Sequence, residues 1–518
     1  MKHVIHGLLL VALAVFAVPA VAQEENQGSR PNILFIAVDD MKPLTHAYGD
    51  VKIRTPAFDR LSSQSTMFER AYTQFPVCGP SRTSLLTGVR PESNGVLDLK
   101  TRMRDIDPDV VTLPQYFRNN GYITAASGKV FDPRNVDSRD DDDPASWTIP
   151  YEQPQRVADK SGDIRWAVLP VDAPEEQFVD GDINARGLRL LREMAADPRP
   201  FFLAVGYKKP HLPFTVPTKY FDLYERDSFA LAPFQQAPAN ANADYLLWNI
   251  AEMRSYVPTP PPGEEVAPYP EVFTDSQQRE LIHGYYAAVS FIDNLLDQLL
   301  QELEATGQAD NTIIVLWGDH GFHLGDHGMW GKHTTMEQAN RVPLLIHVPG
   351  HAGGTSMTMA ELMDLYPTLA ELAGLPVPGK LQGKSLVPVL EDPGVDLGDV
   401  AISQYKRNGA FGYSMRTPRY RYTEWVMEDG SVVYRDLYDM ENDPGETVNI
   451  GTRPENAELM ERMAVLLRAN STGLLRLHAG ADDDTPQDSA QARCCEKTPQ
   501  CCTRPGKDCC GLLLAKKN

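Results

Sequence analysis

Four short apolar runs have the length and continuity of strands that are buried on both faces of a sheet. They cover residues 32–38, 122–127, 201–205 and 312–317. Between the last two runs, residues 275–303 carry apolar side chains at helical spacing, and Gly307 stands where such a helix would end. Strands that alternate with helices predict a mostly parallel sheet of the α/β class.

Charged or imidazole side chains follow each of the four runs. In chain order they are Asp39 and Asp40, Lys129, His211, and Asp319 and His320. Parallel strands end at one edge of a sheet, and ligands of open α/β sheets bind beyond that edge, so we expect these side chains to share a site. A single turn of this kind is equally well explained as a surface turn without a function, whereas four of them at one edge favour a functional site.

The remaining pattern predicts a division of the chain into four parts. Residues 132–180 and 212–273 are long and irregular, as is typical of segments that cover active sites, and the aspartates at 140–143 favour a solvated loop. From about residue 401, short alternating segments predict a small antiparallel subdomain. We assign a signal peptide to residues 1–22, a catalytic domain to 31–400, a C-terminal subdomain to 401–478 and a flexible cysteine-rich tail to 479–518.

The N-terminus has the features of a secretory signal peptide. Lys2 precedes the apolar run 7–18, and the small residues 20–22 predict cleavage after Ala22. The run is too short to cross a bilayer, and no later stretch is long enough. We therefore expect a secreted or periplasmic protein without a membrane span.

The seven cysteines are unevenly distributed along the chain. Six form adjacent pairs in the tail, namely Cys494 with Cys495, Cys501 with Cys502, and Cys509 with Cys510. In an exported protein they are expected to form disulfides of unknown connectivity, and a metal-binding tail is the alternative. Cys78 stands alone, so it is predicted to be buried, reactive or modified.

The formal charge of −21 restricts the classes of partner. An acidic surface disfavours nucleic acid and anionic lipid, so neither is expected as a ligand. If the substrate is an anion, positive charge must be concentrated in one pocket.

The segment around Cys78 predicts a helix with an anion site at its start. Pro80 suits the first turn of that helix, and Gly88 suits its end. Backbone amides at a helix N-terminus favour an anion and would lower the pKa of a thiol there, and Arg82 lies one turn further on. The alternative is a helix that begins by chance beside a buried cysteine.

Cys78-Gly-Pro-Ser-Arg82, followed by Leu86-Thr-Gly88, resembles the signature of the type I sulfatases. In that family a separate maturation enzyme oxidises the cysteine to Cα-formylglycine. Residues 31–40, 318–321 and 437–446 also resemble sulfatase segments, while 127–131, 205–214, 403–405 and 412–417 resemble the iduronate-2-sulfatase branch. The resemblance implies an alkaline-phosphatase-like α/β sandwich around a mostly parallel sheet, with a smaller C-terminal subdomain that contains an antiparallel sheet.

The resemblance also implies the metal and its ligands. One Ca²⁺ would be held by Asp39, Asp40, formylglycine 78, Asp319 and His320. Carboxylate oxygens suit Ca²⁺ better than a transition metal. A nitrogen ligand is unusual for calcium, so His320 could instead orient a neighbouring ligand.

The catalytic side chains follow from the same resemblance. Arg82, Lys129 and Lys332 would supply positive charge to the sulfate, and His211 would protonate the leaving oxygen. The hydrated aldehyde of residue 78 would attack sulfur through one hydroxyl, and deprotonation of the other would expel inorganic sulfate. The implied substrate is a sulfated saccharide, with a sulfated uronic acid or another polysaccharide unit.

One position departs from the family pattern. Relatives carry a histidine three residues after the lysine, where this chain has Asp132, which we expect to stay ionised beside Lys129. This departure keeps open the alternative of a catalytically impaired carbohydrate-binding relative. The shared arrangement of metal and strands keeps open a second alternative, a phosphatase or phosphodiesterase of the same superfamily. The nucleophile in the latter is normally Ser or Thr, so Cys78 argues against it.

Overall fold

The structure is a computed structural model that describes residues 30–136, 142–155, 164–246, 252–258, 272–398 and 400–471. The predicted signal peptide, Asp140 and the six tail cysteines lie outside these residues. No helix in the described ranges combines the length and the apolar character needed to cross a membrane.

The secondary structure alternates between strands and helices up to residue 391 and becomes mostly strand after it. The strands are β1 (Asn32–Val38), β2 (Thr66–Tyr72), β3 (Ile123–Gly128), β4 (Val168–Val171), β5 (Phe201–Tyr207), β6 (Phe214–Pro217), β7 (Thr312–Gly318), β8 (His323–Leu324), β9 (Trp330–Gly331), β10 (Arg341–Val342), β11 (Leu344–His347), β12 (Gly354–Glu361), β13 (Ala401–Arg407), β14 (Ala410–Arg416), β15 (Tyr420–Val426) and β16 (Val432–Asp439). The α-helices are α1 (Pro56–Ser63), α2 (Cys78–Thr87), α3 (Pro91–Asn94), α4 (Met103–Ile106), α5 (Leu113–Asn119), α6 (Val179–Ala195), α7 (Thr218–Phe221), α8 (Ala243–Leu246), α9 (Asp275–Ala305), α10 (Glu337–Asn340), α11 (Leu365–Leu372), α12 (Val387–Glu391) and α13 (Ala457–Asn470).

An eight-stranded sheet in the order β10-β2-β11-β7-β1-β5-β3, with β12 beside β2, forms the centre of the fold. The neighbours β7, β1, β5 and β3 are parallel, and they are the four runs that the sequence predicts as strands. Val38 pairs with both Tyr207 and Gly318, so the strands end level at one edge. The predicted α/β class is confirmed.

Helices cover both faces of the sheet because its strands are apolar on both sides. Along β1, Leu34 and Ile36 pack in one core with α9 and α6, whereas Ile33 and Phe35 pack in a second core with α2, α5 and α11. All seven residues of β1 are buried. The result is the predicted sandwich, with β1 at its middle.

The C-terminal subdomain is the antiparallel sheet β13-β14-β15-β16 with α13 packed on it. It is joined to the larger part by a shared apolar cluster that contains Phe75, Val77, Tyr405 and Trp425, with the rings of Phe75 and Tyr405 in contact. Val77 directly precedes Cys78, so this cluster supports the start of α2.

The sequence prediction for the aspartates at 142 and 143 is wrong, because both are buried. Asp143 accepts hydrogen bonds from Nε and Nη2 of Arg104 at 2.7 and 2.9 Å, and Asp142 accepts one from Nε1 of Trp147 at 3.1 Å. A distant arginine and a tryptophan draw these two carboxylates inward, and no local sequence pattern reveals such partners.

Candidate active site

Two aspartates enter the site at the end of β1. Asp39 continues the strand, and Asp40 has a φ of +61°, in the left-handed region that aspartate tolerates better than most residues. The backbone N–H of Asp40 donates to Oδ1 of Asp319 at 3.0 Å. This turn points two successive carboxylates to the same edge of the sheet, and both are fully buried.

Cys78 is the first residue of α2 and is buried beside these carboxylates. Its Sγ lies 3.2 Å from Nε2 of His320 and 3.8 Å from Oδ1 of Asp40. Burial, and secondly the charge of Asp39, raise the pKa of the thiol well above its ordinary value. The low thiol pKa expected from the helix N-terminus is therefore wrong, because desolvation and a carboxylate outweigh the helix dipole here.

Asp319 and His320 follow β7 and complete the cluster. Nδ1 of His320 lies 3.0 Å from the carbonyl oxygen of Gly321, which turns Nε2 toward the cluster. That nitrogen is 3.4 Å from Oδ1 of Asp40 and 3.7 Å from Oδ2 of Asp319. His320 thus faces the cluster through Nε2.

Arg82 lies beneath the cluster with no exposed side-chain surface. Its Nε donates to Oδ2 of Asp319 at 2.9 Å, and its Nη2 donates to Oδ1 of Asp39 at 3.0 Å. Its Nη1 donates to the carbonyl oxygens of Lys129 and Val130. All three guanidinium nitrogens therefore bind protein groups, in contrast to the expectation that Arg82 contacts the sulfate.

The turn after β3 delivers Lys129 through two close backbone approaches. The N–H of Lys129 donates to the carbonyl of Gly206 at 2.7 Å, and a Cβ at Gly206 would lie 2.0 Å from the carbonyl oxygen of Lys129. Gly128 has a φ of +78°, which a side chain rarely allows. The Nζ of Lys129 consequently reaches Oδ2 of Asp39 at 2.7 Å, and this lysine and Arg82 hold the pKa of Asp39 well below its usual range although burial opposes them.

Lys332 reaches the cluster from the opposite side. Its Nζ lies 2.8 and 2.7 Å from the two carboxylate oxygens of Asp40. Glu252, in the described part of the segment predicted to cover the site, places Oε2 3.2 Å from the same Nζ. The site thus pairs a buried lysine with two carboxylates.

His211 is the most exposed member of the group, with one quarter of its side-chain surface open. Nδ1 lies 2.7 Å from the carbonyl oxygen of Leu212, which leaves Nε2 to exchange protons, and Nε2 is 3.4 Å from Oε1 of Glu252. Burial, and secondly the charge of Lys332, lower the pKa of His211 to about 4. In the free protein this imidazole is therefore neutral at pH 7.

Asp132 is bound by a residue that the sequence analysis did not single out. Nε and Nη2 of Arg134 donate to the two oxygens of Asp132 at 2.8 Å each, and Lys129 lies 3.5 Å away. Burial opposes ionisation, but Lys129 and the Arg134 hydrogen bonds hold the pKa of Asp132 well below its usual range. The prediction that Asp132 stays ionised is confirmed.

Two cavities open onto this cluster. One, of about 280 Å³, is lined by Val77, Cys78, Leu99, Arg134, His211, Glu252, Lys332 and His333. The other, of about 420 Å³, includes the cations Lys129, Arg134, Arg165, Lys208 and Lys209 in its wall, together with His211. His211 and Arg134 line both, so they stand where the two spaces meet.

The donor set at the cluster suits a hard divalent cation. Ligand atoms lie within 4.8 Å of one another in two overlapping groups, Asp39, Cys78, Asp319 and His320, and Asp39, Asp40, Cys78 and His211. Three of the donors are buried carboxylates, which match the oxygen ligands that Ca²⁺ prefers. The residues present therefore fit the calcium site that the sequence implies.

Comparisons with known proteins identify the family. A family model described as sulfatase matches residues 31–375, and one described as N-sulphoglucosamine sulphohydrolase, C-terminal, matches residues 325–472. The chain belongs to the sulfatase family. This sulfatase is therefore a sulfuric ester hydrolase, as the sequence predicted.

Several curated sulfatases match this one over most of their length. Identity is 33% to iduronate 2-sulfatase of Mus musculus, over 88% of this chain and 97% of that protein, and 32% to the Homo sapiens protein, over 88% and 98%. It is 26% to N-acetylglucosamine-6-O-sulfatase of Bacteroides thetaiotaomicron, over 89% of each. The resemblance to sulfatases of the iduronate-2-sulfatase type is confirmed.

Solved structures share the fold of this sulfatase. A protein solved with its substrate D-glucosamine-2-N,6-O-disulfate aligns with a TM-score of 0.69 at 23% identity, over 88% of this chain and 100% of that chain. The phosphonate monoester hydrolase of Agrobacterium radiobacter aligns with a TM-score of 0.69 at 23% identity, over 85% and 96%. At these identities the likeness concerns the fold alone.

Two charged residues at the site of this sulfatase, Glu252 and Arg134, carry no sequence signal strong enough to predict them. Glu252 lies in an irregular proline-rich segment where no periodicity marks a functional position. The spacing of Arg134 indicates a local ion pair, because an arginine two residues after an aspartate can bind that aspartate. That signal becomes informative only when the structure shows both cavities beside it.

Proposed function

We propose that this sulfatase hydrolyses sulfate esters of a sulfated saccharide, with residue 78 converted to formylglycine as the nucleophile. The observation that carries the proposal is the position of Cys78. Its Sγ lies at the start of a helix, in contact with His320 and in a cavity that Lys332 and His211 also line. An attacking atom at this point is surrounded by groups suited to an anionic reaction centre.

The raised pKa of the unmodified thiol supports conversion rather than thiolate chemistry. A protonated thiol at neutral pH is a weak nucleophile. A hydrated aldehyde on the same carbon presents two hydroxyl groups at the place of Sγ, and an aldehyde can regenerate itself by elimination. A serine at this position would instead leave a sulfate ester that has to wait for water.

Asp39, Asp40, Asp319, His320 and residue 78 are the groups that we propose as ligands of one Ca²⁺. Bound there, Ca²⁺ would supply positive charge next to the reacting oxygens. Arg82 would act on this site indirectly, by fixing the carboxylates of Asp39 and Asp319 relative to each other. We propose this positioning role in place of direct sulfate contact.

Residues of this chain can accept and donate each proton that the proposed reaction moves. One hydroxyl of the hydrated aldehyde loses its proton to the carboxylate of Asp40, whose Oδ1 lies 3.8 Å from Sγ of the unmodified residue 78. Its oxygen bonds to sulfur while the sulfur–oxygen bond to the sugar breaks, and His211 gives a proton to the departing oxygen. The second hydroxyl then gives its proton to His211, which is neutral after protonating the leaving oxygen and lines the same cavity as residue 78. The carbonyl re-forms as the bond between carbon and the sulfate oxygen breaks, inorganic sulfate leaves, and water hydrates the aldehyde again.

Lys129 and Lys332 are proposed as the cations that bind the sulfate. Each is paired with a carboxylate and also lines a cavity, so its ammonium lies between the cluster and the substrate space. An anionic sulfate beside His211 would raise the pKa of that imidazole and favour the protonated form that the leaving oxygen needs.

The assignment of a saccharide as the substrate class is based on the related sulfatases. Iduronate 2-sulfatase and N-acetylglucosamine-6-O-sulfatase are named for sulfated sugars, and the wider cavity of about 420 Å³ has room for a sugar ring. Conversion of Cys78 requires a formylglycine-generating maturation enzyme as a partner. We further propose export to the periplasm or medium, on the strength of residues 1–22 alone.

The test compares ester classes on protein matured by a co-expressed formylglycine-generating enzyme. Release of inorganic sulfate from 4-nitrophenyl sulfate and sulfated saccharides is measured beside release of phosphate from 4-nitrophenyl phosphate, with Cys78→Ala and Cys78→Ser as controls. Sulfate release that disappears in Cys78→Ala is the expected result. Faster phosphate release would favour the phosphatase alternative, and binding of saccharides without any turnover would favour the impaired relative.

A further inference from the structure

Asp132 and Arg134 form a pair whose position differs from that of an otherwise identical pair in the same chain. Residues 132–134 and 197–199 both read Asp-Pro-Arg. In both, the arginine donates from its backbone N–H, Nε and Nη2 to the aspartate, with distances of 2.8–3.1 Å in the first and 2.8–2.9 Å in the second. The tripeptide therefore closes the same local ion pair wherever it occurs, and the pair alone indicates no function.

The surroundings separate the two copies. The side chain of Asp132 has no exposed surface, whereas that of Asp197 is 23% exposed. Asp197 and Arg199 precede β5, at the end of the sheet opposite to the catalytic cluster. Asp132 follows β3 at the catalytic edge, in the wall of the cavity that also contains Lys129 and His211.

Arg134 is held by Asp132 so that part of its guanidinium stays available. Nε and Nη2 bind the aspartate, and Nη1 has no hydrogen-bond partner in the described part of the chain. The side chain is 39% exposed and lines both cavities. A fixed guanidinium with an open N–H edge suits a carboxylate or sulfate, which it can bind with two parallel hydrogen bonds.

The position of Arg134 relative to residue 78 and His211 determines which part of a substrate it would contact. Cys78 lines only the smaller cavity, while His211 and Arg134 line both. A sugar whose scissile sulfate lies at residue 78, with its leaving oxygen beside His211, can extend past His211 into the wider cavity, because His211 lines both spaces. Arg134 lines both cavities, so its guanidinium faces the sugar where the sugar passes from one cavity into the other.

We propose that Arg134 binds a second anionic group, a carboxylate or a further sulfate, on the saccharide that carries the scissile sulfate. Asp132 is the positioning residue that holds Arg134 in place, so the departure from the family histidine serves substrate selection. This inference rests on the proposed function and adds the recognition of a substrate with two anionic groups.

The test compares four sulfate esters that differ in their second group. They are 4-nitrophenyl sulfate, a monosulfated neutral hexoside, the corresponding uronate, and a disulfated hexoside. For each, kcat and KM are measured with wild type, Arg134→Gln, Arg134→Lys and the double variant Asp132→Asn with Arg134→Gln, which removes both charges and keeps the buried site paired. Arg199→Gln is the matched control from the second Asp-Pro-Arg copy.

Loss of a charged hydrogen-bonding partner lowers kcat/KM by about 10- to 100-fold. We expect Arg134→Gln and the double variant to show this loss on the substrates with two anionic groups, mainly as a raised KM. The loss is measured relative to the loss of the same variant on the neutral hexoside. Arg134→Lys should recover part of it, and Arg199→Gln should match wild type. Comparison of the uronate with the disulfated hexoside shows whether a carboxylate or a sulfate is preferred as the second anion.

An equal loss on all four esters, or no loss on any, would overturn the proposal, as would a wild type that does not prefer a second anion. Calorimetric titration of the uronate and disulfated hexosides into Cys78→Ala, with and without Arg134→Gln, measures the same contact without turnover. If wild type releases no sulfate from any ester, the proposed function fails, and this titration still decides on Arg134. Equal affinities with and without the arginine would then refute the second-anion site.

Discussion

Replacement of Arg82 by lysine tests whether this residue positions the carboxylates or binds the sulfate. Arg82 connects carboxylates that follow different strands, since it donates to Asp39 and Asp319 at 3.0 and 2.9 Å. A lysine keeps the charge, but its single ammonium cannot reproduce the fork that spans both partners. The backbone carbonyls of the turn after β3 lose donors as well.

The magnitude follows from the bonds that are lost. A hydrogen bond to a charged group contributes about 1.5–3 kcal/mol, and breaking a buried ion pair costs about 3–5 kcal/mol. Because lysine retains one of the two charge contacts, we expect Arg82→Lys to lower the free energy of unfolding by about 2–4 kcal/mol. Urea unfolding at neutral pH measures this difference.

Arg421 provides a matched control for the burial of an arginine between two carboxylates. It is 1% exposed and connects Glu446 of the C-terminal subdomain, at 2.6 Å, with Glu337 at the start of α10. Arg421→Lys should also destabilise the protein, but it should leave the stabilisation by Ca²⁺ intact. In Arg82→Lys that stabilisation, about 2.7 kcal/mol at a calcium concentration of 100 times Kd, should fall because two proposed ligands are no longer aligned. If Arg82→Lys has the stability of wild type and its only defect is a raised KM for 4-nitrophenyl sulfate, this reasoning is refuted. Arg82 would then bind the sulfate.

Three further predictions concern the proton donor, the metal and Asp132. Because the pKa of His211 is lowered to about 4, kcat/KM for a saccharide sulfate should fall by about tenfold per pH unit as the pH rises above that value, and less for 4-nitrophenyl sulfate, whose leaving group needs no proton. His211→Gln should remove this difference, and identical pH profiles for both esters in wild type would exclude His211 as the donor. Chelation should abolish turnover and Ca²⁺ should restore it, as followed by sulfate release, whereas restoration by Zn²⁺ alone would contradict the calcium assignment. Asp132→His should not raise kcat on 4-nitrophenyl sulfate, because it leaves the Arg134 guanidinium without its buried partner, and a large gain would mean that Asp132 only stands in the place of the missing base.

The strands that build the site could be predicted because each is buried on both faces and reads as a continuous apolar run. The segment 32–38 matches β1 in full, and the helix predicted over 275–303 is observed as Asp275–Ala305. The antiparallel sheet predicted after residue 401 is observed, but the antiparallel strands of the central sheet are not predictable, since β10 and β11 span two and four residues and β2 carries Glu69 and Arg70 in its middle. Short or interrupted patterns contain too little periodicity to be distinguished from turns.

The site residues could be named from the sequence, but their partners could not. The resemblance to sulfatases gave Asp39, Cys78 and Arg82, and the structure brings all three together. Arg82 binds carboxylates, and burial raises the pKa of the Cys78 thiol, because of contacts between residues up to 242 positions apart in the sequence. Burial and long-range pairing set these properties, and neither is visible in a local pattern.

The central claim is that formylglycine at position 78 carries the reaction, and it is tested by measuring conversion and turnover in the same samples. Protein prepared with graded amounts of the maturation enzyme is analysed by mass spectrometry of the peptide that contains residue 78, and sulfate release is measured on each sample. We expect kcat per protein molecule to rise in proportion to the fraction that carries the aldehyde, and to extrapolate to zero for unconverted cysteine. Full turnover from unconverted Cys78, or no turnover from fully converted protein supplied with Ca²⁺, would contradict the account.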